Sequence, residues 1–177
     1  MRGSRVYPAI CLVVALALVG CGGGPEGPTL APPAEPRTFD LGWVERYSGF
    51  TFRVERLVIA EDGWSVTFSV TNGSRRPYRL DRRSVGLVLL DTATQAEVQR
   101  LTGDLSHAPP ALKPDRVSAE PPPALGPGAS WSATGFGSEV LRSGSVVRVL
   151  FGPFSSVERF RTEAEDVLWV TDHFVRL

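Results

Sequence analysis

The sequence predicts an all-β chain folded as a two-sheet sandwich of about seven or eight strands, set behind a leader and a spacer. Three observations carry this prediction. Apolar residues recur with a period of two from about Thr38 onward, turn formers are abundant (18 Gly and 15 Pro in 177 residues), and helical periodicity is nearly absent. With 42% apolar and 21% charged residues the chain is ordinary globular material, one domain in size, and wholesale disorder is excluded. Lys plus Arg (19) equals Asp plus Glu (19), so the cationic excess needed for non-specific nucleic-acid binding is missing.

The clearest strand runs from Trp64 to Val70, where Trp64, Val66, Phe68 and Val70 alternate with Ser65, Thr67 and Ser69. Phe50, Phe52 and Val54 form a second alternation whose apolar run resumes at Leu57, Val58 and Ile59. The step from 54 to 57 breaks the period and predicts a bulge near Glu55-Arg56. Asp62-Gly63 reads as a tight hairpin turn, and Asn72-Gly73 as the same device after the next strand. Further strands are expected at Ser84 to Leu90, Gln95 to Leu101, Ser130 to Gly137, Ser145 to Phe151 and Val167 to Val175. In the Ser145 strand, Val147, Val149 and Phe151 share one face, and Val146, Arg148 and Leu150 the other. A domain of this size buries about two-thirds of its unfolded surface, enough for a core without disulfides. Trp43, Trp64, Trp131 and Trp169 are expected to pack in it.

The N-terminus has the layout of a secretory signal peptide over residues 1–20: Arg2 and Arg5, then the apolar run Ala9 to Val19, then Gly20-Cys21. Eleven apolar residues are too few to span about 30 Å of hydrocarbon. The residues Leu18-Val19-Gly20-Cys21 resemble the lipobox of bacterial lipoproteins. That resemblance implies cleavage between Gly20 and Cys21, a diacylglycerol on the Cys21 thiol, and acylation (palmitate or similar) of the new amino group. Cysteine suits the chemistry because its thiolate is strongly nucleophilic near neutral pH, and two or three acyl chains make a stable anchor. The implied location is the bacterial cell membrane or outer membrane, with the domain lipid-anchored on the extracytoplasmic side. By the same resemblance, to lipoproteins of two-membrane bacteria, Gly22 rather than Asp after Cys21 would permit export to the outer membrane. Cys11 lies in the discarded leader, so Cys21 would be left without a partner for a disulfide or a thiolate metal cluster. From Gly22 to Pro36 the chain is rich in Gly and Pro, a spacer reaching up to about 45 Å if it is extended as polyproline. The expected organisation is therefore a signal peptide (1–20), lipidated Cys and tether (21–37) and sandwich (38–177).

Within the sandwich, Val66-Thr67-Phe68-Ser69-Val70-Thr71-Asn72-Gly73, then Gly86-Leu87-Val88-Leu89-Leu90-Asp91, then Leu125-Gly126-Pro127-Gly128 ahead of Ser130, is similar to the immunoglobulin-like domains of small bacterial surface lipoproteins. Those domains end one strand in Val-x-Asn and a second in Leu-x-Asp, and place a Leu-x-Pro-Gly turn before a later strand. The resemblance covers about half the domain, implies an immunoglobulin-like sandwich, and departs at Asp104 to Gly128. It supports fold and location and assigns no biochemical role.

A catalytic reading would begin from His107 and His173, the two histidines of the chain. Neither sits in a Gly-x-Ser-x-Gly elbow, a His-Glu-x-x-His helix or a Ser-x-x-Lys motif. Gly135-Phe136-Gly137 reads as strand backbone rather than a phosphate loop, and Glu163, Glu165 and Asp166 as a solvated connection rather than a calcium loop. No catalytic residue, metal ligand or cofactor is therefore assigned. The densest chemistry is Arg75, Arg76, Tyr78, Arg79, Arg82 and Arg83, a basic patch whose guanidinium forks suit carboxylate, phosphate or sulfate, with Tyr78 placed to stack on a ring. The alternative is that these arginines pair with the domain's own acids. The segment Asp104 to Gly128, with seven prolines, reads equally as a recognition loop or as an insertion lying across the sandwich.

These features describe a lipid-anchored cell-envelope binding or assembly module without catalytic activity. Its partners would be the membrane through Cys21 and an anionic glycan or envelope protein. The competing readings are a cell-envelope hydrolase or metal carrier using His107 or His173, and a structural spacer in an envelope complex.

Overall fold

The computed structural model describes residues 30–90, 111–157 and 166–177, and its compact unit runs from Ala31 to Leu177. Ten strands are present among the described residues: β1 (Arg37–Tyr47), β2 (Phe50–Ala60), β3 (Gly63–Asn72), β4 (Tyr78–Arg79), β5 (Val85–Val88), β6 (Arg116–Val117), β7 (Ser130–Gly137), β8 (Val146–Ser156), β9 (Val167–Val170) and β10 (Val175–Arg176). The first sheet is antiparallel in the order β1-β2-β3-β7-β6. The second is built around β8, where Phe151 pairs with Val85 of β5 on one edge and Trp169 of β9 on the other. β4 and β10 pair with its two ends. The expected all-β sandwich is found. Its strand number exceeds seven or eight because both neighbours of β8 are split into short pieces and because β1 and β6 were not resolved as separate strands in the sequence pattern.

Phe50, Phe52, Val54, Phe68, Phe151 and Phe154 meet between the sheets, each at most 1% exposed. Their rings stack and tilt on one another, Phe52 on Phe151 at 4.8 Å and Phe50 on Phe154 at 5.3 Å. Val147, Val149 and Phe151 face this core as expected. The opposite face of β8 is not solvated: Leu150 joins Val88, Leu168 and Val170 in a second buried cluster, and Arg148 is 1% exposed beside it. Trp64, Trp131 and Trp169 are buried, and Trp43 is half-buried against the core.

The bulge expected near Glu55-Arg56 is present, since the β2–β3 register shifts between Val54 and Arg56. Two turns differ from expectation. In the β2–β3 hairpin Ala60 pairs with Gly63, so the turn residues are Glu61 and Asp62 rather than Asp62 and Gly63. Gly63, at φ +152°, opens β3 because any Cβ there would collide with the Gly137 carbonyl. Asn72-Gly73 closes no hairpin. Asn72 is fully buried, and its Nδ2 donates to Arg76 O (2.7 Å) and Leu125 O (2.9 Å) while its Oδ1 accepts from Ser74 N (3.0 Å) and Ser74 Oγ (2.6 Å). The hairpin signal missed in sequence is Ser48-Gly49, where φ values of 46° and 80° make the tight turn between β1 and β2.

The proline-rich segment, as far as it is described, lies across the sandwich. Leu112 exchanges backbone hydrogen bonds with Leu87 of β5, Arg116 and Val117 pair with Phe136 and Gly135 of β7, and Leu125 exchanges bonds with Tyr78 of β4. It therefore closes one side between the two sheets. The expected tether also proves partly docked: Ala34 is buried, its N–H donates to Leu141 O at 2.8 Å, and Ser143 N donates to Pro32 O at 2.9 Å. Prolines lack the donor for a ladder, but Ala34 and the carbonyls around it supply enough pairing for the strap to hold. The strand expected at Gln95 to Leu101 lies outside the described residues.

Candidate functional site

The arginine cluster is built by alternation and capping. Tyr78 (6% exposed) and Leu80 (9% exposed) turn into the core, which turns Arg79 between them outward. Asp81 then caps a single 3-10 turn at Arg82–Ser84: its Oδ1 accepts from Arg83 N at 2.6 Å, and Ser84 Oγ accepts from Asp81 N at 3.0 Å. Ser84 is buried by this exchange, so Arg82 and Arg83 stay outside. At the other end, Asn72 and Ser74 shape the turn that carries Arg75 and Arg76, both exposed. Among the described residues no carboxylate oxygen lies within 4.0 Å of any of the five guanidinium groups. The acids among the described residues therefore do not neutralise the patch.

Tyr78 does not belong to this surface. It packs edge-on against Phe50 at 5.0 Å and 79°, so the stacking role expected for it is withdrawn. Strand pairing with Ser156 on one side and Leu125 on the other sets its parity inward. Beside the cluster runs Lys113, whose ammonium is buried and has no hydrogen-bond partner among the described residues. Burial lowers its pKa from 10.5 to about 8, with Asp81 opposing the shift and Arg83 adding to it.

His173 lies in the connection between β9 and β10 rather than within a strand. Its Nδ1 meets Glu45 Oε1 at 2.7 Å, and its ring stacks on Trp43 at 5.4 Å. Glu45 is nearly buried and also accepts from Trp169 Nε1 (2.6 Å), Asp172 N (3.1 Å) and His173 N (3.3 Å). From the other side, Arg148 donates to Thr171 O (2.6 Å) and Asp172 O (2.7 Å). Residues 171–173 are thus clamped between a buried carboxylate and a buried guanidinium, which makes Glu45 a structural acceptor for four donors. Sequence reasoning overlooked Glu45. The available signal was parity, because Glu45 alternates in step with Phe39, Leu41, Trp43 and Tyr47, the inward row of β1.

Gly20, Cys21, His107, Glu163 and Glu165 lie outside the described residues, and Asp166 is exposed ahead of β9. Gly135-Phe136-Gly137 is strand backbone, as expected. Among the described residues no group of three His, Cys, Asp or Glu side chains is placed to hold a metal ion, and no helix is long and apolar enough to cross a membrane. No protein-family model matches this sequence, and no curated protein and no solved structure matches it at a significant level.

Proposed function

We propose that this protein is a lipid-anchored cell-envelope binding module, attached through Cys21 on the extracytoplasmic side and acting without a catalytic step. The observation that carries the reading is the set of five exposed guanidinium groups at Arg75, Arg76, Arg79, Arg82 and Arg83, none paired with a carboxylate among the described residues. Such a cluster on a near-neutral domain suits a polyanionic partner, an acidic glycan or an acidic protein surface. Replacing all five with Gln tests it on immobilised dextran sulfate. Loss of retention with unchanged thermal unfolding is the expected result, and undiminished retention would refute the anionic partner. The anchor has its own test, the intact mass of the chain taken from membranes, which is expected to show acyl groups on a chain beginning at Cys21.

A hydrolase or metal-carrier reading draws on one specific observation, the imidazole of His173 oriented by Glu45 at 2.7 Å. A carboxylate that also holds Trp169 and two backbone amides is committed to the fold, and this favours a structural role. Loss of a hydrolytic activity or of bound metal in His173→Ala would reverse that preference.

A further inference from the structure

The outer face of the first sheet is chemically distinct from the arginine cluster. The register of β3 with β7 sets three cross-strand hydroxyl pairs in succession, Thr67 with Thr134, Ser69 with Ser132, and Thr71 with Ser130. Two of these are hydrogen-bonded, Thr67 to Thr134 at 3.0 Å and Thr71 to Ser130 at 2.8 Å. A solvated sheet face commonly carries long charged side chains, whereas β3 and β7 present short hydroxyls here, giving a flat polar track. At the β2–β3 hairpin end this track runs into a hollow of about 260 Å³, lined among others by Asp62, Ser65, Asp115, Arg116 and Phe136.

Gly63 and Gly137 are also part of the lining. A Cβ at Gly63 would meet the Gly137 carbonyl and one at Gly137 the Trp64 ring, so glycine at both positions lets the two strands stay close there. The polar groups of the hollow are held in place. The Arg116 guanidinium lies 3.8 Å from the centroid of the Phe136 ring, and Asp115 Oδ2 accepts from Ser138 N at 2.9 Å. Asp115 Oδ1 carries no hydrogen bond among the described residues.

We propose that this hollow and the hydroxyl track leading from it bind an uncharged linear saccharide. Carboxylates accept from paired ring hydroxyls, the guanidinium donates to hydroxyl or ring oxygens, and Ser and Thr do both, which is the complement a polyol requires. Two carboxylates at the hollow oppose an anion, so the ligand class differs from that of the arginine cluster, and neither site depends on the other. The volume, below that of a drug-sized pocket, fits a single hexose ring, with neighbouring units lying along β3 and β7.

The test is an NMR titration of the isotope-labelled protein with maltotetraose, cellotetraose and tetra-N-acetylchitotetraose at millimolar concentration. At least one is expected to shift the amides of Ser65, Arg116, Phe136 and Ser138. Asp115→Ala is expected to weaken that binding about tenfold, the size of one lost charge-assisted hydrogen bond. Ser65→Phe, which fills the hollow from the outer face of β3, should abolish it with spectral dispersion intact. The variant with all five arginines replaced by Gln should bind as the parent does. The proposal is overturned if none of the three saccharides shifts those amides, or if Ser65→Phe binds undiminished.

Discussion

Asn72 uses its whole side-chain hydrogen-bonding capacity inside the core, two donors on Nδ2 and two acceptances on Oδ1, and so ties the end of β3 to the loops at Arg76 and Leu125. Asn72→Ala removes all four bonds, leaving Leu125 O only the Tyr78 N–H and Arg76 O only the Ser74 hydroxyl, and a loss of about 2 to 3 kcal/mol in unfolding free energy is expected by urea denaturation. Lys113 predicts the opposite sign. Its folded pKa of about 8 lies below the ordinary 10.5, so between those values the unfolded chain binds more protons. Stability attributable to Lys113 should therefore be flat below pH 8 and rise as pH increases from about 8 toward 10.5. In Lys113→Met the burial penalty is gone, and thermal unfolding is expected to show a higher midpoint at pH 7 and no such rise. The exposed arginines were legible in the sequence as a dense run, but the inward turn of Tyr78 was not, because β4 is only two residues long and alternation over so short a stretch carries no parity.

Among the elements, β3 was the most readable. β3 follows from strict alternation, and the bulge at Glu55 from the break in the alternation of β2. β1 was harder, because its inner row of Phe39, Leu41, Trp43 and Tyr47 is only partly buried and includes Glu45, a charge that disguises the alternation. β8 misled in another way. Its two faces are both buried, so Arg148 on the second face is a hydrogen-bonding post for Leu90, Thr171 and Asp172 rather than a surface residue. The close approach of β3 to β7 gives an element-level prediction. A methyl group at position 137 would meet the Trp64 ring, so Gly137→Ala should cost about 1 to 3 kcal/mol, with a shifted tryptophan emission as the ring and its bond to Glu139 are displaced.

For the molecule as a whole, the sandwich is closed by segments that carry little regular structure. The described part of the proline-rich segment bridges the two sheets at Leu112, at Arg116–Val117 and at Leu125, and Gly86 leaves room for it because a Cβ there would lie 2.7 Å from Leu112 O. The strap at Ala31 to Pro36 docks on residues 141–143 through Ala34 and Pro32. Deleting residues 31–36 removes that buried alanine and its bonds, and a loss of about 1 to 2 kcal/mol, a few degrees in midpoint, is expected by calorimetry. The residue pattern alone established the all-β class, the principal strands, the bulge and the basic patch, because each is written in local alternation or local composition. Only the tertiary structure decided which polar residues face inward, where the proline-rich segment lies, and that the hydroxyls of β3 and β7 form one track ending in a hollow. Those outcomes depend on pairing between residues as far apart as Glu45 and His173, or Trp64 and Gly137, and no local period encodes which distant strand becomes a neighbour.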